Sequence, residues 1–384
     1  MKVFFTLDTL SIGGTERSTL DILSHFSKDT QVKVIYFYKG HELKEAYEQA
    51  GIPLHYFGLK TGKSFLQGIK ALITIIRTEK PDLVVSSIAR ADLMSRIACF
   101  ITRTTILGTF VNDSYGDIRV EEHKKRKTYI KFIYAWSLDK LTSFVPKYWI
   151  ANCKSIAFSN AKALGLNLNK LKVIYRGRDT AKFPVWQAPE FNGKIKFVFV
   201  GRLMERKGVY ELLEVAKMLQ EEKLNFQLDI FGGGNMQDEL QKIIEDNGLQ
   251  NTITLHGTVQ QGWKKIYEGH CFVFPSWYEG FSGSLVEAMI TGIPIIASDI
   301  PMNKEAVTDG KTALLFKVKD KQQLFESMKK VIADYDDVLI LGKNARVEAL
   351  ARFDINIIAN QYEAFLKSVV NEKVDTTQLL QKED

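Results

Sequence analysis

Two glutamates eight positions apart, Glu279 and Glu287, frame the stretch PSWYEGFSGSLVEAMITGIPIIASD at 275–299. Between them a turn of small residues, Gly280, Ser282, Gly283 and Ser284, runs straight into a segment with the pattern of an amphipathic helix. Glu279 then stands before the turn and Glu287 about one turn into the helix, so both carboxylates can address one pocket. The first free amides of that helix, near Ser284 and Leu285, can receive an anionic phosphate in the same pocket. A carboxylate accepts hydrogen bonds from a pair of sugar hydroxyls, which suits a ribose or a hexose. Taken alone, two such glutamates also fit an ordinary capping and surface pattern.

Two more loops carry chemistry. VGRLMERKGVYEL at 200–212 places Arg202 and Lys207, with Arg206 beside them, between a strand and a helix. There they can neutralise a diphosphate, although basic loop residues are commonly just solvated. SIGGTERS at 11–18 puts Gly13 and Gly14 at a strand-to-helix turn, where backbone approaches a ligand closely and helix-terminal amides favour phosphate. A plain tight turn explains the same two glycines, and the spacing matches neither a dinucleotide fingerprint nor a P-loop.

The elements that must hold these loops alternate along the chain. Apolar β-rich runs at 3–7, 32–38, 82–87, 104–110, 148–152 and 171–175 are interleaved with helical spacing at 15–27, 41–50, 64–79 and 90–102. After a polar stretch at 176–194, a second series of strands falls at 195–201, 226–232, 253–257, 271–276 and 294–298. Helical patterns lie near 208–221, 236–247, 284–291 and 321–333. Alternation of this kind predicts mostly parallel sheets covered on both faces, hence an α/β fold of two doubly wound, Rossmann-like domains. Ligands then bind beyond the carboxyl ends of the strands, in a central cleft between the domains.

In combination, the GGTER loop, the GRLMERKG segment, the FGGGNMQDEL turn and EGFSGSLVEAMITGIPIIASD resemble the retaining nucleotide-sugar glycosyltransferases of family 4. That family has the GT-B fold, and the likeness extends over nearly the whole chain, the last segment matching a Glu-x7-Glu signature. The resemblance implies an N-terminal acceptor-binding domain at 1–180 and a nucleotide-sugar-binding domain at 190–354. It implies a helix near 355–370 returning to the first domain, and a flexible tail at 371–384. Gly14, with Gly13, would lie beside the donor diphosphate from the N-terminal side, and Arg202 and Lys207 would hold it from the other. Glu287 would bind the ribose hydroxyls. Glu279 would contact the transferred sugar, helped by backbone amides of Phe281, Ser282, Gly283, Ser284 and Leu285. Gly232 and Gly234 would border the base, although glycines after a strand are common turn residues.

Two positions depart from the family pattern. The histidine usual after an N-terminal strand is absent from GTFVNDSYGD at 108–117, which leaves Asn112 or Asp113 in its place. At YRGRD, 175–179, Arg176 stands where asparagine is usual.

The expected reaction moves a sugar from a nucleotide diphosphate, UDP-linked in this reading, with retention, onto a glycan or lipid-linked saccharide. Surface polysaccharide or lipopolysaccharide assembly is the expected setting. Arg202, Lys207 and helix amides would stabilise the leaving diphosphate, so no metal or other cofactor is expected. Alternatives are a non-catalytic sugar-nucleotide-binding partner of a transferase, and a nucleotide-sugar epimerase.

Composition narrows the setting. The 384 residues are 45% hydrophobic and 25% charged, which excludes disordered and fibrous classes. Three cysteines, Cys99, Cys153 and Cys271, give no disulfide framework or metal spacing and fit a reducing cytoplasm. Neither a signal peptide nor a spanning run of apolar residues is expected. Residues 1–190 carry 29 Lys and Arg against 17 Asp and Glu, a balance of +12, whereas 191–384 carry 23 against 28, a balance of −5. The basic half faces something anionic. Its densest part, 121–141, joins Lys124, Lys125, Arg126, Lys127 and Lys131 to Tyr129, Ile130, Phe132, Ile133, Tyr134 and Trp136. A basic aromatic helix suits the inner face of an anionic membrane; the same helix can equally pack on the sheet with its lysines solvated. No nucleic-acid motif accompanies the charge.

Overall fold

The computed structural model describes residues 1–60, 64–125 and 127–380. The chain divides into two compact units, unit 1 comprising Met1–Gly177 and Ile355–Asp384, and unit 2 comprising Arg178–Asp354.

Unit 1 begins in strict alternation: β1 (Lys2–Leu7), α1 (Gly14–Leu23), β2 (Gln31–Tyr38), α2 (Lys44–Gln49), β3 (Leu54–Leu59), α3 (Phe65–Glu79), β4 (Leu83–Ser86), α4 (Ala89–Thr102) and β5 (Ile106–Phe110). Two successive helices, α5 (Asp117–Lys125) and α6 (Tyr129–Thr142), precede β6 (Tyr148–Ala151), α7 (Lys154–Leu164) and β7 (Leu171–Val173). Unit 2 runs β8 (Ile195–Val200), α8 (Val209–Glu221), β9 (Phe226–Phe231), α9 (Gln237–Asp246), β10 (Ile253–Gly257), β11 (Cys271–Phe274), α10 (Gly283–Thr291), β12 (Ile295–Ser298), α11 (Pro301–Ala306) and β13 (Leu314–Phe316). It closes with α12 (Lys321–Ala333) and α13 (Tyr335–Phe353), after which α14 (Ile355–Leu380) belongs to unit 1.

Every strand pairing is parallel, in the order β3-β2-β1-β4-β5-β6-β7 in unit 1 and β10-β9-β8-β11-β12-β13 in unit 2. The sequence builds this because its central strands are apolar on both faces. In β1, Val3, Phe5 and Leu7 enter one core, which Ile358, Tyr362 and Leu366 of α14 complete. Phe4 points the other way, into a core with Phe37, Leu72 and Met94. In unit 2, Val209, Leu212, Leu213, Ala216 and Leu219 of α8 recur at helical spacing and are buried against β8 and β9.

Some elements differ from expectation. Strands β3 and β13 were not foreseen, and both are sheet edges; β3 is only partly buried, so its sequence has no continuous apolar run. Helices α7, α11 and α13 were also unforeseen. The expected helix at 121–141 is two helices, the chain turning at Lys127 with φ +55°. Arg126 lies outside the described residues. Helix α14 is longer than the expected 355–370, taking in residues read as tail.

All three cysteines are buried and none of them forms a disulfide among the described residues, and burial pushes the Cys99 and Cys271 thiols well above their usual range. Among the described residues no helix is long and apolar enough to cross a membrane.

Candidate functional site

In unit 2 the strand order reverses between the neighbours β8 and β11, the switch point where doubly wound sheets take ligands. The loops leaving those two strands carry Lys207 and Glu279. They are drawn together at Gly208, whose φ is +71° and whose missing Cβ would lie 2.2 Å from the Pro275 carbonyl oxygen. Only glycine permits both that backbone conformation and that approach. The Trp277 N–H donates to the Arg206 carbonyl at 2.8 Å and fastens the same two loops. Lys207 Nζ thereby meets Glu279 Oε1 in an ion pair with side-chain exposures of only 12% and 11%. Burial alone would raise the Glu279 pKa, but the Lys207 ammonium outweighs it and holds the carboxyl below its usual value.

Glu287, on α10, also has a cation: Arg178 Nε donates to its Oε1 at 2.7 Å, both side chains largely buried. Arg178 was not among the residues singled out from the sequence. It stands 109 positions from its partner, two residues after Arg176, and only the tertiary fold reveals the pairing.

The start of α10 is left without a side-chain cap. Ser282 takes the capping position in extended conformation, yet its hydroxyl pairs with that of Ser284 at 3.1 Å, and the first turn contains no acidic residue. The amides of Gly283, Ser284 and Leu285 thus form an electropositive helix end with no carboxylate from its own first turn. Phe281 and Leu285 are themselves core residues, each 1% exposed, so only their backbone can serve a ligand.

Gly232 and Gly234 have a structural role that is independent of any base. A Cβ on Gly232 would lie 1.8 Å from the Gly201 carbonyl oxygen, and one on Gly234 2.2 Å from that of Leu203. With the Leu203 N–H donating to the Gly233 carbonyl at 3.0 Å, they fix the backbone that bears Arg202. Arg202 itself is exposed and forms no ion pair among the described residues.

Unit 1 treats its helix starts differently. Gly13 is the N-cap of α1 and Gly14 its first residue. A Cβ on Gly13 would lie 2.1 Å from Glu16 Oε2, so the Glu16 carboxylate folds back over the start of its own helix. Glu16 is 8% exposed, and burial raises its pKa. Arg176 lies against Gly14, its Nη1 3.3 Å from where a Cβ would be, which places the departing residue of the RGRD segment at this turn. Helix α4 begins under Asp8, whose Oδ1 accepts from the Ala91 N–H at 2.7 Å.

Beyond β5, the Asn112 carbonyl accepts from Asn160 Nδ2 at 3.0 Å, and Asn112 lines a cavity of about 620 Å³. Asp113 is tied to Ser159, whose hydroxyl donates to Oδ1 at 2.6 Å. The structure therefore joins Lys207 to Glu279, seats Arg202 on Gly232 and Gly234, and puts Ser282–Leu285 on the helix of Glu287. Gly13, Gly14, Asn112 and Asp113 belong to unit 1. Among the described residues no three His, Cys, Asp or Glu gather as metal ligands.

Comparison with known proteins gives this arrangement its context. The family model of glycosyl transferases group 1 matches residues 183–348, and that of Glycosyltransferase Family 4 matches residues 12–182. The capsular polysaccharide biosynthesis glycosyltransferase CapM of Staphylococcus aureus is 23% identical over 348 residues, 87% of this chain and 89% of the relative. The UDP-Gal:alpha-D-GlcNAc-diphosphoundecaprenol alpha-1,3-galactosyltransferase of Escherichia coli is 28% identical over 314 residues, 76% of this chain and 77% of the relative. Among solved structures, Anabaena HepE in complex with UDP-glucose matches with a TM-score of 0.80 at 22% identity, covering 96% of this chain and 100% of that one. With two parallel-sheet units of GT-B type and two family models that between them take in residues 12–348, the chain belongs to the Family 4 type of glycosyltransferases.

Proposed function

We propose that this glycosyltransferase moves a sugar from a UDP-linked donor, with retention at the anomeric carbon, to a lipid-linked saccharide during surface polysaccharide assembly. The observation that carries the reading is the buried Lys207–Glu279 pair set at the unit 2 switch point, Glu279 standing in the loop that leads into the uncapped start of α10. The α10 amides and Arg202 receive the diphosphate, Lys207 offsets the charge that grows on it, and Glu279 accepts from hydroxyls of the transferred sugar. Glu287, oriented by Arg178, takes the ribose hydroxyls. As the bond from the anomeric carbon to the phosphate oxygen breaks, the acceptor oxygen bonds that carbon on the same face. Its proton passes to the departing phosphate oxygen, so no separate protein base is needed. No metal takes part in this scheme.

The relatives support donor and setting: HepE binds UDP-glucose, CapM belongs to capsule biosynthesis, and the Escherichia coli relative uses a diphosphoundecaprenol-linked acceptor. We place the protein on the cytoplasmic face of the membrane. In support, α6 turns Ile130, Tyr134 and Leu141 to solvent, at 84%, 67% and 70% exposure, with Lys124, Lys125 and Lys127 close by in sequence.

The test is a panel of nucleotide sugars against the purified protein, reading thermal stabilisation and nucleotide release with and without chelator and with and without anionic vesicles. A matching UDP-sugar raises the melting temperature and releases UDP in chelator, and the product keeps the donor's anomeric configuration by NMR. An inverted product, or turnover abolished by chelator, removes the corresponding part of the scheme.

A further inference from the structure

A second hollow in unit 1, of about 560 Å³, plays no part in the reaction proposed above. It lies at the outer edge of the sheet, where Tyr36 of β2, His41, Lys44 and Glu48 of α2, and Leu54 and Tyr56 of β3 line it. The order β3-β2-β1-β4-β5 puts β1 and β4 between it and β5, whose residues line the 620 Å³ cavity beside α6. Its volume falls within the ~300–1,000 Å³ typical of small-molecule sites.

Strand register gathers aromatic rings here. Tyr36 and Tyr56 are partners across the parallel β2–β3 ladder, so their side chains leave the same face of the sheet and stack, ring centroids 4.8 Å apart at 22°. His41 stands edge-on to both rings, at 5.6 and 4.8 Å. The Tyr36 hydroxyl is hydrogen-bonded to His41 Nδ1 at 3.0 Å, which commits that nitrogen and leaves Nε2 as the remaining polar atom of the imidazole. After Tyr56 the ladder shifts register: Tyr36 pairs with Tyr56 but Tyr38 with Leu59, one extra residue on β3. Gly58 takes φ +65° within that bulge, and the Tyr56 ring lies against it, Cε1 3.7 Å from where a Cβ would be. Bulges of this kind re-aim a side chain. Tyr36 is 2% exposed and built into the core, whereas Tyr56, stacked on it, stays 40% exposed.

The polar part of the lining selects among ligands. Lys44 and Glu48, one helical turn apart, pair loosely at 3.6 Å with about half of each side chain exposed. Their charges cancel, so the hollow offers hydrogen-bond donors and acceptors with no surplus charge to hold a phosphate or a cation. Rings beside balanced polar groups suit a neutral pyranose. The polarised C–H bonds of its flatter side meet an electron-rich ring face, and its hydroxyls reach Glu48, Lys44 and His41.

We infer that this hollow is a saccharide site separate from the transfer centre, binding a neutral pyranose unit of an already assembled glycan. No bond is made or broken there. A weak contact of this kind raises the local concentration of the protein on a glycan between turnovers. The binding itself does not depend on the donor reading, and either can fail alone.

Saturation-transfer NMR with methyl α-D-glucopyranoside and methyl α-D-galactopyranoside tests this on the full chain, with UDP in excess to fill the donor site. Wild type transfers saturation to the carbon-bound protons of at least one of the two glycosides at millimolar concentration. Tyr56→Ala weakens that binding at least about tenfold, Tyr56→Phe keeps it within about threefold, and Glu48→Ala falls between them. Glucose 1-phosphate binds no tighter than the glycosides, and Phe132→Ala, in the 620 Å³ cavity, changes nothing. UDP release from a UDP-sugar, measured without the glycosides, is the same in Tyr56→Ala as in wild type. The inference is overturned by absence of transfer to both glycosides, by equal binding in Tyr56→Ala, or by a loss as complete in Tyr56→Phe. Loss of binding in Phe132→Ala, tighter binding of glucose 1-phosphate, or a fall of UDP release in Tyr56→Ala overturns it as well.

Discussion

The helix starts at the two switch points are built oppositely. In unit 1, α1 begins under its own Glu16 and α4 under Asp8, both carboxylates whose pKa burial raises. In unit 2, α10 begins with a serine whose hydroxyl bonds another serine, and the nearby buried carboxylate, Glu279, is taken up by Lys207. The same doubly wound plan therefore yields a pair of helix ends closed to anions in unit 1 and, at α10 of unit 2, an end left open, while α8 beside it carries Glu211 in its first turn. A phosphate needs the open kind, because a helix end neutralised by its own carboxylate repels a second negative group. Of the two glycine-rich turns that looked alike in sequence, only the later one retains that capacity.

The largest expected effect comes from removing the cation of the open site. Lys207→Ala lowers UDP release about 10²–10³-fold, the size found when a charge-stabilising group is lost. It also destabilises the protein by about 3 kcal/mol in urea unfolding, since Glu279 is left buried and charged. Adding Glu279→Gln recovers the stability and not the turnover, and recovery of both would break the contrast.

A smaller change converts the open end into a closed one. Ser282→Asp caps α10 and stabilises the fold by up to ~1 kcal/mol, while UDP affinity by calorimetry falls about tenfold. Unchanged affinity would mean that the diphosphate sits elsewhere.

The smallest effect is on the pH dependence of stability, where the two carboxylates act with opposite sign. Glu279 has a folded pKa below the usual 4.5, so its contribution is present above that value and is lost as pH falls through the folded pKa. Glu16 has a folded pKa above 4.5, so its contribution is full below that value and is lost as pH rises through the folded pKa. Urea midpoints followed against pH show this: Glu16→Gln flattens the fall on the alkaline side of 4.5, and Glu279→Gln flattens the fall on the acid side.

Much of the fold was legible because central strands such as IKFVFV are apolar on both faces and bounded by turns, whereas β3 and β13, at sheet edges, bury too little to leave a pattern. At the site, the loops bearing Lys207 and Glu279 could be read from their glycines and charges. Arg178 could not, because its role depends on a partner 109 residues away. Nor could the closing of α1, since TER after two glycines reads as an open turn until the Glu16 side chain is seen to fold back. The cavity beside α6 was hidden for a third reason: its wall is gathered from six elements, α4, β5, α5, α6, β6 and α7, spread over more than seventy positions of the sequence.

The buried cysteines have a consequence for how the two halves can be watched. Cys99 and Cys153 lie in unit 1 and Cys271 in unit 2, each shut away from solvent and, for Cys99 and Cys271, far from forming a thiolate. An alkylating reagent reaches such a sulfur only when the surrounding structure opens, so its rate of labelling counts openings. The chain thus carries an internal clock in each unit, and mass spectrometry of the labelled peptides reads the two separately. A donor that stabilises unit 2 slows the Cys271 clock, and an acceptor held by unit 1 slows that of Cys99.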